Sequence, residues 1–373
     1  MNELLQGFQS LTWQMLVMWV IGGALIYLAI KKDMEPTLLL PMGFGAILMN
    51  LPMPGAGIEG VASVIEELFD AGIANELFPL LLFIGIGAMI DFGPLLSNPR
   101  LLLFGAAAQF GIFFTFWLAA YVFGFDLKDA GAIGVIGAAD GPTSILVATQ
   151  FKSDYLGPIM VAAYSYMALV PIIQPPCIRL VTTRKERLIR MPYNPKKVTR
   201  TTRILFPIIV TVIAGVIAPA SAALVGFLMF GNLLRECTVL NSLSDAAQNV
   251  LAKLISLLLG LTVAFKMNAE SFVQGQTLMI LGLGLIAFVF DTIGGVLFAK
   301  LLNLFLKEKI NPMIGAAGIS AFPMSSRVVH KMGLKEDPEN FLLMHAAGVN
   351  VSGQIASVIA GGMIMAFVGP LLH

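Results

Sequence analysis

Val135-Ile136-Gly137-Ala138-Ala139-Asp140-Gly141-Pro142-Thr143-Ser144-Ile145 sets one acid in an apolar run and follows it with a Gly-Pro pair. What that means depends on the solvent, which composition identifies. The chain has 373 residues, 57% hydrophobic and 12% charged, with 23 Lys+Arg against 22 Asp+Glu. Its mean hydropathy is +0.86. A soluble domain carries about 25% charged residues, and a nucleic-acid binder needs a basic excess, so both classes are excluded. At about 20 apolar residues per span the chain is long enough for about ten crossings of a lipid bilayer. In that solvent a carboxylate at helix centre costs about 2.5–3.5 kcal/mol on the lenient scale. Something must offset it.

The neighbours suggest what. Gly141 and Pro142 break the helix and free backbone carbonyls, while Thr143 and Ser144 add hydroxyls. Carboxylate, carbonyl, hydroxyl and amide oxygens are what a small hard cation such as Na⁺ takes as ligands. The competing reading is a carboxylate that caps a broken helix. Two further segments are rich in Gly and Pro: Thr37–Leu51, with Pro41, Gly43 and Gly45, and Ile310–Met324, with Pro312, Gly315, Gly318 and Pro323. Irregular backbone at membrane depth has to be buried in protein or line a wet cavity, so all three are expected breaks and site candidates.

Arg179–Arg203 is the strongly charged linker, with nine Lys or Arg against Glu186. The positive-inside rule puts it in the cytoplasm, as a topology signal or a docking surface for an acidic partner or anionic lipid. It separates halves that look related. Leu81-Leu82-Phe83…Ala88 lies on Leu257-Leu258-Leu259…Ala264, Ile136-Gly137-Ala138-Ala139 on Ile314-Gly315-Ala316-Ala317, and Ala162-Ala163-Tyr164-Ser165-Tyr166 on Ala346-Ala347-Gly348-Val349-Asn350. The expected fold is an all-α polytopic membrane protein of two related repeats, read as inverted. Residues 1–178 and 204–373 form the halves and 179–203 the linker, with broken or re-entrant helices at 131–150 and 310–324 meeting at a midplane site. Met1–Ser10 carries Glu3 and no Lys or Arg, unlike a signal peptide, so Leu11–Ile30 is expected to be a retained helix.

Other polar residues carry two readings each. Asn311 and Ser320 offer neutral oxygens beside Gly315 and Gly318. Arg327 is either a snorkelling topology charge or a fixed charge for an anionic substrate. Asn350 is either a Na⁺ ligand or an amide that joins helices. Tyr166 is a packed aromatic or a functional hydroxyl. Asp291 is a proton-relay member or a structural partner for a helix break. Ala264-Phe265-Lys266-Met267 is like the surroundings of a biotinylated lysine, but it follows a continuous apolar helix, so Lys266 is read as an interfacial lysine. Cys177 and Cys237 are too few for a disulfide framework, and His330, His345 and His373 have no metal-ligand spacing.

The words EPTLLLPMGFGAILMN, GAADGPTS, AAYSYMALVPIIQPP, INPMIGAAGISAFPMSSRV and HAAGVNVSGQIAS resemble the β subunit of the biotin-dependent, sodium-pumping decarboxylases: the oxaloacetate, methylmalonyl-CoA and glutaconyl-CoA decarboxylase group. The resemblance covers nearly the whole chain. It implies a subunit of a bacterial cytoplasmic membrane that decarboxylates carboxybiotin and exports Na⁺ while consuming a proton. The carboxybiotin is presented in trans by a biotin carrier subunit, with no biotin attached to this chain. Other implied partners are a carboxyltransferase α subunit, a small membrane subunit and, as a family trait, a homotrimer. By the resemblance Asp140, Tyr166 and Arg327 are catalytic, and Asp140, Asn311, Gly315, Ser320, Asn350 and Tyr166 form the Na⁺ site. The chain's shorter front favours the acyl-CoA-linked members. The rival reading is a secondary Na⁺-coupled symporter or antiporter without chemistry; a third is a membrane anchor for an enzyme complex.

Overall fold

The computed structural model describes residues 10–32, 35–52, 56–193 and 197–372, so the reading of the first nine residues, Lys196 of the linker and His373 lie outside the described residues. Among those described the chain is helical, with no strand. Seven helices are long and apolar enough to cross a membrane, and a bent pair, Ser63–Ala74 with Leu77–Met89, makes an eighth candidate. The multi-pass expectation holds.

The helices run as α1 (Trp13–Lys32), α2 (Pro36–Met49), α3 (Ala56–Phe69), α4 (Leu77–Met89), α5 (Pro99–Val122), α6 (Leu127–Val135), α7 (Gly141–Gln150) and α8 (Leu156–Val181). After the linker come α9 (Arg200–Ile217), α10 (Ala222–Glu236), α11 (Asn241–Lys266), α12 (Gly275–Phe305), α13 (Met324–Glu336) and α14 (Leu343–Val368). Packing across the halves is reciprocal: α2 lies on α11 and α4 on α10, while α8 lies on α12 and α14 on α5. Burial sorts the layers. In its most apolar window α14 is 72% buried and α9 only 11%, with Leu205, Ile208, Ile209, Val212, Ile213 and Val216 exposed. Such a face is stable where lipid or another apolar surface covers it.

Two of the three expected breaks are present. The first hairpin is α6, a 3-10 turn at Ile136–Ala138, and α7. The second is a 3-10 turn at Pro312–Gly318, an irregular stretch over 319–323, and α13. The third differs from expectation: Pro36–Met49 is one continuous helix with Pro41 inside it. Its small residues instead allow close packing, since a Cβ on Gly45 would come 2.5 Å from the Ala264 Cβ.

The open ends of the hairpins lie at opposite ends of α8, which at 26 residues is about 39 Å long. At the start of α8, Lys128 pairs with Asp154 at 2.7 Å and Ser153 donates to Asp129 at 2.6 Å. At its finish, Lys300 Nζ donates to the Val181 carbonyl at 3.0 Å. Beyond that point the linker folds back over the second hairpin. Arg187 pairs with Glu336 at 2.8 Å, and Arg190 reaches Asp337 and Glu339, both at 2.5 Å. Neither expected reading of the linker anticipated that its arginines clasp this hairpin.

The hydrogen bond from Arg190 holds the Asp337 carboxyl below its ordinary range. A lowered carboxylate contributes to the clasp above its unfolded value of about 3.9 and loses that contribution as pH falls through the lowered value. Amide exchange over residues 184–193, corrected for intrinsic rate, is expected to rise in that acid range, and to rise at pH 7 in Asp337→Asn. Unchanged protection in Asp337→Asn would contradict the clasp.

Candidate functional site

The hairpin tips touch. Ser320 donates its backbone N–H and its Oγ to the Ala138 carbonyl, at 3.0 and 2.9 Å. Ala139 then turns the first hairpin with φ 51°, a left-handed conformation in a residue that is not glycine. Such a conformation costs of order 1–3 kcal/mol and persists only where its surroundings over-determine it. The turn leaves Asp140 at the N-cap of α7, 3% exposed.

Both hydroxyl donors of that carboxylate reach the same oxygen. Thr143 Oγ1 donates to Oδ2 at 2.6 Å, and Ser357 Oγ, from α14, donates to it at 3.0 Å. Ser144, expected among the hydroxyl ligands, instead donates to the Asp140 carbonyl at 2.9 Å. Among the described residues no Lys, Arg or His pairs with Asp140. Nor do three or more His, Cys, Asp or Glu residues gather as for a transition metal. A carboxyl in this setting needs either a proton or a cation held by oxygens.

Asn350 and Ser357 are seven residues apart on α14, hence on one face. Asn350 Nδ2 donates to the Ile319 carbonyl at 2.7 Å, beside Ser320, while its Oδ1 is buried with no partner. One helix face therefore meets the second tip with Asn350 and the first with Ser357. The orphaned Oδ1 and the Asp140 carboxylate are oxygens of the kind a hard cation takes, so this donor set fits Na⁺. Gly353, between them, packs so tightly that a Cβ would lie 2.2 Å from the Gly318 carbonyl.

The other expected residues are placed differently. Asn311 Nδ2 donates to the carbonyls of Arg187 and Ile189 at 2.8 and 2.9 Å, and its Oδ1 accepts from Met313 N–H at 3.1 Å. It caps the second 3-10 turn and ties it to the linker. Gly315 serves close approach, with its hypothetical Cβ 2.1 Å from the Gly295 carbonyl of α12. Tyr166 donates its hydroxyl to the Leu281 carbonyl on α12. Arg327 is exposed on α13, nine residues or about 13 Å inside from Glu336, and makes no ion pair among the described residues. Lys266 lies over the Phe69 ring at 4.8 Å and near Phe265 at 5.1 Å.

Sequence reasoning missed Ser357, Tyr164 and Gln174. Tyr164 is 1% exposed, its hydroxyl has no partner, and its ring lies against Gly141, where a Cβ would come within 2.1 Å. Gln174 Nε2 binds the Ala316 carbonyl and Ser325 Oγ, each at 2.7 Å, bracing the second tip from α8. A search at heptad spacing from Asn350 would have found Ser357.

A family model described as the Na⁺-transporting oxaloacetate decarboxylase beta subunit matches residues 14–368. The methylmalonyl-CoA decarboxylase subunit beta of Propionigenium modestum is 46% identical, with 97% of each chain covered. The glutaconyl-CoA decarboxylase subunit beta of Acidaminococcus fermentans is 48% identical, covering 97% of this chain and 96% of the relative. The oxaloacetate decarboxylase beta chain 2 of Salmonella typhi is 44% identical, with 99% of each chain covered.

The junction is packed backbone to backbone, so volume added there cannot be absorbed. Gly353→Ala is expected to cost about 1–3 kcal/mol, read as a lowered Tm in detergent. An unchanged Tm would show that α14 and the second tip separate freely.

Proposed function

The chain belongs to the family of Na⁺-transporting decarboxylase β subunits, and on that footing we propose that Na⁺ is bound where its hairpin tips meet. It is a membrane subunit that acts in a Na⁺-translocating decarboxylase complex, and a β subunit implies partner subunits. These matches favour that reading over a Na⁺-coupled transporter without chemistry. The observation that carries the site is Asp140, buried without a counter-charge, bonded to hydroxyls of the first hairpin and α14, two residues past the Ala138 carbonyl that Ser320 of the second hairpin holds.

In this reading Na⁺ enters from the linker side, the cytoplasm, and is held by the Asp140 carboxylate, Asn350 Oδ1 and Ser320 Oγ. Thr143 and Ser357 fix the carboxylate from behind. Asn311 and Gly315 contribute as framework, setting the second tip against the linker and α12. Carboxybiotin, carried in by a biotin carrier subunit, approaches from the same end. Its carboxylate is steered by Arg327, whose freedom from ion pairs leaves its donors available. Lys331, exposed one turn along α13, extends the positive face toward the entrance.

Decarboxylation breaks the N–CO₂⁻ bond; CO₂ leaves and the nitrogen takes a proton. A water-poor pocket disfavours the localised carboxylate relative to a charge-dispersed transition state. A proton reaching Asp140 from the outer end, directly or by way of Tyr166, displaces Na⁺ outward. We take the reciprocal helix pairing and the opposed hairpins as support for inverted repeats, one half rocking against the other to alternate access. The proposed setting is a bacterial cytoplasmic membrane, with a carboxyltransferase α subunit and a small membrane subunit as further partners and a homotrimer as the assembly.

In reconstituted vesicles holding the complete complex, Asp140→Asn is expected to abolish both Na⁺ uptake and carboxybiotin decarboxylation. Intact Na⁺-dependent decarboxylation would overturn the site. Arg327→Lys is expected to raise the half-saturating carboxybiotin concentration about tenfold, as loss of about 1.4 kcal/mol of charge-assisted hydrogen bonding gives. Unchanged saturation would remove Arg327 from that role.

A further inference from the structure

Asp291 is one of three buried acids among the described residues, with Asp129 and Asp140, and it is fully enclosed on α12. Its Oδ1 accepts the Gly111 N–H at 2.5 Å. That N–H is free because α5 breaks at Gln109, where the Leu102–Ala108 helix gives way to Phe110–Trp117. Half of the carboxyl is thus explained as a cap on a broken helix. The other half is not: Oδ2 is buried with no hydrogen-bond partner. It faces Gly137, where a Cβ would fall 2.8 Å away. Gly137 belongs to the 3-10 turn that ends in the strained Ala139 and leads to Asp140.

The elements around Asp291 supply no counter-charge. Residues 102–108 and 110–117 of α5, the turn 136–138 and the turn 312–318 contain no ionisable side chain. On the packed helices, α8 brings Tyr164, Tyr166, Cys177 and Arg179. Tyr166 is bonded to Leu281, and Arg179 sits in the last turn at the linker end. The hairpin brings Lys128 and Asp129 at its far end, paired with Asp154 and Ser153, and Asp140 three residues past Gly137. An isolated carboxylate here would carry the full cost of a buried, unpaired charge. An Asp291 that carries its proton avoids that cost.

We propose that Asp291 is a second ion site of this chain, one that takes a proton and is opened and closed by movement of the first hairpin tip. Gly137 lies directly on Oδ2 and on Ala287, so that movement must change water access to the carboxyl. The same three-residue turn then walls two sites, Na⁺ at Asp140 on one side and a proton at Asp291 on the other. The proposal rests on the reading of the Asp140 site for its coupling to transport, but not for the proton itself.

The test separates the proton from the helix cap. Asn at 291 keeps an oxygen for the Gly111 N–H but has no proton to exchange. With saturating Na⁺ present, so that Asp140 holds the ion rather than a proton, difference infrared spectroscopy on the purified chain in vesicles should show the C=O stretch of a buried protonated carboxyl at neutral pH, absent in Asp291→Asn and retained in Asp140→Asn. In the complete complex, Asp291→Asn should lower decarboxylation-driven Na⁺ uptake at least tenfold and flatten its pH profile, with Na⁺ binding to the isolated chain within twofold of the parent. Wild-type uptake and pH profile in a folded Asp291→Asn would overturn the proposal. So would the absence of a protonated-carboxyl band assignable to residue 291, a result that needs no functional variant. Abolished Na⁺ uptake and decarboxylation in Asp140→Asn would leave the Asp140 reading standing even then.

Discussion

A carboxylate taken out of water with no cation beside it is the constraint on which this architecture turns. Asp140 receives hydroxyls from Thr143 and Ser357, and a hydrogen bond to a charged group contributes about 1.5–3 kcal/mol. That offsets only part of a desolvation cost of several kcal/mol. The neighbouring side chains that reach it are hydroxyls, and among the described residues no lysine, arginine or histidine pairs with it. A fixed positive charge would bind the carboxylate permanently. On the proposed reading, oxygens and an exchangeable partner make its occupancy depend on what the two solutions offer.

Holding such a group in place calls for unusual backbone, and the costs are local. The left-handed Ala139 and the glycine contacts at 295–315 and 318–353 bring main chains together without side chains between them. Irregular segments buried in protein are the one setting in which membrane-depth backbone can leave the helix. The linker clasp has a related task at the other end of the second hairpin, where Asn311 ties the start of the turn to the Arg187 and Ile189 carbonyls. Tip and base are thus fixed by different chemistry: main-chain contact inside, ion pairs outside.

Much of this was legible in the residues. Asp140 could be recognised because an acid in an apolar run has few cheap explanations, and the Gly-Pro pair beside it announces a break. Ser320 and Asn350 were legible as polar residues in a glycine-rich stretch and in an apolar helix. Ser357 was not, since one hydroxyl on an apolar helix can satisfy itself on its own backbone. Tyr164 and Tyr166 are two residues apart, about 200° around a helix, and only the rotation of α8 tells which one faces Asp140. Pro41 misled because a proline near a helix start can be accommodated by its neighbours. Asn311 carries the expected residue type, but its task is set by a linker whose path no local pattern encodes.

The account stands most directly on whether Asp140 exchanges a proton for Na⁺ in the chain itself. A hydrophobic carbodiimide reacts with protonated, buried carboxyls, and peptide mapping locates the adduct. With the purified chain in vesicles and no partner present, Asp140 is expected to be modified, and saturating Na⁺, but not K⁺, to protect it. A rate of modification at Asp140 that does not respond to Na⁺ would contradict the account.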